Sequence, residues 1–384
     1  MLYIKFVYLK IVTKGYPKWI RPIMASYLSH FVSYLPPYKA DQVDSLKWLE
    51  TLHQLRESDK KERVSLFMRK FGVSPEKIKT RRSFIEDFIS ADFQSNKLFV
   101  ERNSFNPNLT ARTELAQKAL ENATQKIYEE NQPSPQHLLH VSCTHYESPS
   151  AAQKIVLEKN WDTIVTHLYH MGCYAALPAV RTASALCTQG RVDIIHTEIC
   201  SLHLNCDSYS PEQLVVQSLF ADGAIKYSCS SDYIPGEGKA FEVLSQHEIL
   251  VPGTSTDMTW KLHSDRFDMT LSKNVPKYLG EYLSDFMQTL FEEANLDYEN
   301  HKEETIFAIH PGGPKIIDLA QEILELRDDQ VENSKIVLRS RGNMSSATLP
   351  HVWSDILEQN DDKLVATVAF GPGLTMTGAL LRIC

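Results

Sequence analysis

The sequence predicts an α/β protein, and three observations carry that prediction. Between residues 137 and 200 short apolar runs alternate with helical patterns, the signature of strand–turn–helix–strand units. Residues 41–130 carry apolar side chains at helical spacing. With 384 residues, 43% of them apolar, the chain is long enough for one large core or two packed halves.

Taken in order, Asp41–Ser58 and Lys60–Phe71 read as helices, the first through Leu46, Leu49, Leu52 and Leu55. Ser74-Pro75-Glu76 has the composition of a helix cap and first turn. Thr110–Glu130 is a further helix. His137–Cys143 reads as a strand, and Ser148-Pro149-Ser150 opens a helix through Leu157. Asp162–Tyr169 is rich in β-forming residues; Gly172-Cys173 then leads into a helix that Gln189-Gly190 stops, and Val192–Cys200 is the next strand. Residues 231–265, with Gly236, Gly238, Pro252 and Gly253, read as a loop-rich crossover between two halves. Val275–Ala294 is helical and Thr305–Ile309 is a strand. Val365–Phe370 and Thr375–Ile383 flank Gly371-Pro372-Gly373 as a terminal hairpin.

Composition narrows the function. The net charge is -8 and the basic residues are scattered, which leaves no electrostatic footprint for nucleic acid. Seven cysteines in a long chain without an evident pairing framework fit a reducing, cytoplasmic setting. No Cys-x-x-Cys pair occurs, and His196, Cys200, His203 and Cys206 are expected to pack rather than hold a metal. Residues 1–23 are apolar but interrupted by Lys5 and Lys10, too charged for a signal-peptide core and too short to span a bilayer. They read as an extension outside the core, with Met24 a candidate start, and no other stretch reaches membrane-spanning length.

Cys173 is the sharpest chemical candidate. It follows a strand, sits behind Gly172 and precedes a helix, where unpaired N–H groups and the helix dipole favour thiolate. A buried structural cysteine is the competing reading. His310 ends a strand and opens His310-Pro311-Gly312-Gly313-Pro314, a loop of constrained backbone. Its imidazolium, paired with a cysteine, would stabilise a thiolate. Asn343, in Gly342-Asn343-Met344-Ser345-Ser346-Ala347, reads alone as a helix-capping residue; beside a developing oxyanion its amide donates without titrating.

With these residues in hand the chain resembles the type III polyketide synthases, the chalcone-synthase-like group of the thiolase superfamily. Met171-Gly172-Cys173-Tyr174-Ala175, Ala308-Ile309-His310-Pro311-Gly312-Gly313-Pro314, the Asn343 stretch and Phe370-Gly371-Pro372-Gly373-Leu374 carry the likeness, with Leu219-Phe220-Ala221-Asp222-Gly223-Ala224 as a fifth stretch. The resemblance spans roughly residues 24–384 and implies a thiolase fold, layered αβαβα, built from two similar halves over residues 24–240 and 241–384. It implies Cys173 as the nucleophile, His310 and Asn343 as the oxyanion hole, and Phe220 as an aromatic gatekeeper. It implies Gly371, Pro372 and Gly373 as the loop shaping a cyclisation cavity, with Ser345 beside it. Acyl-CoA and malonyl-CoA are the implied substrates, without a further cofactor, and a homodimer is the implied assembly.

The departures concern the cavity. Met269 falls where plant members carry a second gatekeeper aromatic; Cys200 and His203 fall where they carry threonines; Cys143-Thr144-His145-Tyr146 replaces another threonine-bearing stretch. The lining therefore resembles the bacterial branch, which points to fatty acyl-CoA starters and alkylpyrone or alkylresorcinol products, with malonyl-CoA as its own starter nearly equal. Arg69, Lys70, Lys77, Lys79, Arg81 and Arg82 are candidates for the CoA phosphates. Three rivals remain. A β-ketoacyl-carrier-protein synthase III shares the Cys/His/Asn logic but would require a carrier protein, and usually has Gln-Ala-Asn after its histidine. A papain-like hydrolase shares the chain order but not the Cys-Gly-Ser-Cys-Trp signature. A non-catalytic thiolase-fold binding protein would not need all three positions filled.

Overall fold

The computed structural model describes residues 25–384 except 91, 94–95, 99–106, 130–131, 234 and 237. The expectation of an N-terminal extension over residues 1–23, and Met24 as a start, lie outside the described residues.

The first part of the chain runs β1 (Tyr27–Tyr34), β2 (Tyr38–Asp41), α1 (Gln42–Arg56), α2 (Lys61–Phe71), β3 (Thr80–Ser83), α3 (Leu109–Ile127), β4 (His137–Ser142), α4 (Ala151–Glu158), β5 (Ile164–Tyr169), α5 (Ala176–Leu186), β6 (Val192–Ile199), α6 (Pro211–Leu219) and β7 (Asp222–Ser230). The remainder runs β8 (Phe241–Leu250), β9 (Met258–Leu262), β10 (Phe267–Leu271), α7 (Val275–Glu293), α8 (Tyr298–His301), β11 (Ile306–Ile309), α9 (Pro314–Ile323), α10 (Asp328–Arg341), α11 (Thr348–Gln359), β12 (Leu364–Gly371) and β13 (Thr375–Ile383).

Nine strands hydrogen-bond in the order β11-β12-β13-β8-β1-β7-β6-β4-β5. Antiparallel pairing of β1 with β8, through Tyr27–Glu242 and Leu28–Phe241, joins two similar sets. Outward from that junction, β7 and β13 are antiparallel to their neighbours, and β6 with β4 and β12 with β11 are parallel pairs. The first set carries β5 as one extra parallel strand.

β4, β6, β7, β12 and β13 are buried on both faces. Along β12, Val365 and Ala369 face one cluster while Ala366 and Val368 face another, the period of two expected of a pleated strand. The first cluster holds α5 and α11 between the two sets of strands, with Ala176, Ala179 and Ala183 giving α5 a slim profile. α7, α9 and α10 cover the far side of the second set, and α3 and α4 that of the first. The layers are therefore α-β-α-β-α.

Two expectations fail. Ser74-Pro75-Glu76 forms a turn, closed by Lys77 N–H to the Ser74 carbonyl (3.0 Å), and no helix follows. Residues 231–265 contain β8 and β9 rather than a loop. β8 buries Phe241, Val243 and Ser245 in alternation and pairs with β13 along its length; the flanking glycines and proline mark its ends, not its interior. Among the described residues no helix is long and apolar enough to cross a membrane.

Candidate active site

Cys173 sits in the turn between β5 and α5, three residues before the helix begins. Gly172 has φ +96°, in the left-handed region, and a Cβ there would stand 2.6 Å from Pro372 Cδ. A Cβ on Gly371 would meet the Tyr174 ring at 2.0 Å. The Gly371-Pro372-Gly373 loop of the second half thus lies directly on the cysteine turn of the first.

The other two residues arrive on neighbouring elements. β11 and β12 pair in parallel register, and His310 at the end of β11 donates its backbone N–H to Val368, three residues before Gly371 (2.8 Å). Asn343 is fixed by a backbone bridge to the Phe220 segment: its N–H bonds Leu219 (3.0 Å) and its carbonyl accepts from Ala221 (2.8 Å). Gly223 admits this segment, since a Cβ there would strike Met344 Sδ at 2.6 Å. Asn343 Oδ1 accepts from Ser345 N–H (2.9 Å) and Thr348 Oγ1 (3.2 Å), which aims the amide nitrogen the other way. Ser345 is held at φ +51°, an uncommon conformation for a side-chain-bearing residue and one that clusters at functional sites.

The polar atoms left over are informative. Both ring nitrogens of His310 and Nδ2 of Asn343 are buried without a hydrogen-bond partner. Unpaired buried polar groups are costly and call for an explanation such as a ligand. Burial alone pushes the His310 pKa down to about 3, so its ring is neutral, donor on one nitrogen and acceptor on the other. Cys173 is only 8% exposed, and burial pushes its thiol up to about 12. Ser345 donates to it and lowers the pKa, Glu198 raises it, and the Asn343 amide lowers it from a position short of good hydrogen-bond geometry. Burial therefore opposes the thiolate that the unpaired N–H groups at the helix start favour.

A cavity of about 740 Å³, counted to its open mouth, is lined by Cys173, Phe220, Met269, Cys200, His203, Ser345 and Pro372 among others. His310, Asn343, Gly371 and Gly373 are not among its lining residues; Gly371 backs the Tyr174 ring. The wall is mostly apolar, with Phe88, Val216, Leu204 and Met258. Sequence reasoning missed Trp260 and Phe267, which line the cavity from β9 and β10. The alternation in Met258-Thr259-Trp260 and Phe267-Asp268-Met269 is the signal that could have found them.

Glu198, fully buried beneath the wall, has its pKa pushed up by burial to about 7. It accepts from Thr144 Oγ1 (2.6 Å), Cys143 N–H and Ser346 Oγ. Arg81, a candidate for CoA, is also fully buried. It donates to Gln42 Oε1 (2.9 Å) and to the carbonyls of Gln217 (2.9 Å) and Phe220 (2.8 Å), so it holds the Phe220 segment instead. Lys77 is paired with Asp318 (3.0 Å) and Arg82 donates to the Pro36 carbonyl (2.7 Å). Among the described residues no group of His, Cys, Asp or Glu could hold a metal ion; His196 bonds Ser346 (3.0 Å) and Tyr227 (3.3 Å) instead.

Two similar halves in five layers, with a buried cysteine at the first half's turn, define the thiolase-like class. Residues 242–384 match the family model for the C-terminal domain of chalcone and stilbene synthases. A probable polyketide synthase 1 of Dictyostelium discoideum is 29% identical over 254 residues, 64% of this chain but 8% of that protein, so the chain spans a small part of that relative's length. A type III polyketide synthase, pspB, of Penicillium soppii is 26% identical over 299 residues, 68% of this chain and 75% of its own. The solved C-terminal type III polyketide synthase domain of Steely1, a type I/III hybrid from Dictyostelium, superposes with a TM-score of 0.80 at 23% identity, covering 93% of this chain and 99% of that one. Residues 242–384 thus match a chalcone and stilbene synthase C-terminal domain, and the chain is similar to type III polyketide synthases over about two thirds of its length, with their fold.

Proposed function

We propose that this chain condenses malonyl-CoA with an acyl-CoA starter through a thioester on Cys173 and then cyclises the product to a pyrone, resorcinol or related polyketide. The observation that carries this reading is that His310 and Asn343 bury unpartnered polar atoms while Cys173 is buried in the turn on which the Gly371-Pro372-Gly373 loop lies.

In the first step the His310 acceptor nitrogen takes the Cys173 proton as sulfur attacks the starter thioester; CoA leaves as thiolate and takes that proton. Malonyl-CoA then binds with its thioester oxygen at the His310 and Asn343 donors. Loss of CO2 leaves the electron pair as an enolate, whose oxygen those donors stabilise. The enolate carbon attacks the acyl carbon on Cys173, forming the new C–C bond and breaking the C–S bond; the sulfur leaves as thiolate and takes a proton from solvent. The lengthened chain, now on CoA, returns to Cys173 for the next round. Phe220 supplies a dry wall for the departing carboxylate, and Met269 on β10 leaves the passage wider than an aromatic would.

Carbanion formation by CO2 loss asks for no cofactor beyond the CoA thioesters themselves. A homodimer and a cytoplasmic setting complete the proposal; β5 ends the sheet with a partly exposed edge, the kind of strand a second copy can cover. The test is a panel of acyl-CoA starters with isotope-labelled malonyl-CoA and product masses. Products from free CoA substrates support the reading, with long-chain starters favoured. Activity only with a carrier protein would move the chain to the β-ketoacyl-carrier-protein synthase III type.

A further inference from the structure

The β9–β10 hairpin, which places Trp260, Phe267 and Met269 on the cavity, is a separate two-stranded sheet with no strand pairing to the main one. Its height over the cavity is therefore set by separate links rather than by a ladder: Gly373 N–H to the Met258 carbonyl (3.2 Å), His170 Nε2 to the Trp260 carbonyl (2.9 Å) and Gln213 Nε2 to the Met269 carbonyl (3.0 Å) are three of them. His203 adds another, through both of its nitrogens. Its Nε2 lies 2.6 Å from the Thr144 carbonyl, which accepts, so that nitrogen carries the proton. Its Nδ1 then accepts from the backbone N–H of Phe267 (3.1 Å). The Phe267 ring stacks on the imidazole at 4.3 Å and 10°, and Trp260 meets its edge at 5.7 Å and 87°.

Thr144 is itself anchored on the nucleophile side. Its hydroxyl donates to Glu198, and the neighbouring Cys143 carbonyl accepts from Trp260 Nε1 (2.8 Å). A single imidazole thus spans from the turn after β4 to the first residue of β10. Its two nitrogens are both used within the protein, leaving it neither a donor nor an acceptor for substrate.

We infer that His203 is a positioning residue: it braces the β9–β10 hairpin at a fixed height over the cavity and so sets the length of starter and product the cavity accepts. This rests on the synthase reading above for its consequence, and on geometry alone for the brace. Leucine is close to histidine in volume, so His203→Leu removes both polar links with little change in the space filled. Glutamine keeps a donor and an acceptor on one side chain.

The experiment combines hydrogen exchange by mass spectrometry with product analysis on the full chain. For His203→Leu, exchange in peptides covering 258–271 rises at least tenfold while peptides of β4, β6 and α5 stay as in wild type. The distribution of product lengths broadens, and KM for long starters changes at least fivefold. His203→Gln restores much of the wild-type exchange and product pattern, and serves alone if the leucine variant fails to fold: it then keeps wild-type exchange in 258–271 where His203→Thr does not. Unchanged exchange in 258–271 overturns the brace; raised exchange with an unchanged product distribution overturns its control of length. Wild-type protein that makes no polyketide sinks the functional reading and the length claim with it, while the exchange result still decides the brace.

Discussion

His310 and His203 are both buried histidines in or beside one cavity, and burial drives both rings to the neutral form, with pKa values near 3. They differ in what their nitrogens do. His203 spends both on the protein, one on Thr144 and one on Phe267. His310 spends neither, and Asn343 leaves its amide nitrogen equally unpaired. A fully satisfied polar side chain stiffens a wall; an unsatisfied one stores a desolvation cost that a correctly placed ligand oxygen recovers. The region around His310 is thus arranged for a guest and the region around His203 for the host.

The strongest way to break this contrast is at the sulfur. Cys173→Ala should abolish condensation, by at least a thousandfold in labelled polyketide formed, because no other described residue is proposed to carry the starter. At the unpaired donors, His310→Ala should lose both decarboxylation and condensation. Asn343→Ala should fall roughly a hundred- to a thousandfold in condensation turnover, the range for losing one oxyanion donor. An Asn343→Ala variant with wild-type turnover would mean its free amide serves no reacting oxygen.

Where buried polar groups hold the protein itself, the effects are on stability. Arg81→Ala strips partners from Gln42 and from the carbonyls of Gln217 and Phe220, and should cost about 3 kcal/mol or more in denaturant unfolding. If Arg81 bound CoA instead, the same substitution would raise KM and spare stability. Glu198 sharpens the contrast through pH. Its folded pKa of about 7 lies above the ordinary 4.5, so the folded state holds the proton more tightly than the unfolded chain between those values. The stabilisation is complete below pH 4.5 and is lost as pH rises through 7, a change of about 3 kcal/mol at most. Glu198→Gln should therefore flatten the difference in unfolding free energy between pH 5.5 and pH 8. An unchanged pH dependence would place the proton elsewhere.

Much of the fold was legible because its signals are local. The strand β4, the Ser150–Gln153 capping box that opens α4, and the hairpin at Gly371-Pro372-Gly373 all announce themselves within a few residues. What stayed hidden depends on distant partners. β8 lies between glycine-rich segments, and its pairing with the distant β13 and β1 makes it a strand. Arg81 sits in a run of basic residues that reads as a solvated face, yet its guanidinium is enclosed by Gln42 and the Phe220 segment. Cys173, His310 and Asn343 are singled out by their motifs, but the burial that shifts Cys173 and His310 is not. A helix N-terminus favours thiolate locally, while burial pushes the thiol the other way. His203 was readable as a cavity residue by resemblance, but not its two bonds, since Thr144 and Phe267 lie 59 and 64 residues away.

The most direct test separates enolate formation from chain loading by following malonyl-CoA decarboxylation in the single variants. The account predicts that Cys173→Ala still releases CO2 at a rate within about tenfold of wild type, while His310→Ala falls at least a hundredfold and Asn343→Ala follows it down. Wild-type decarboxylation in both His310→Ala and Asn343→Ala would contradict it, because the unpaired nitrogens would then have no reacting oxygen to hold.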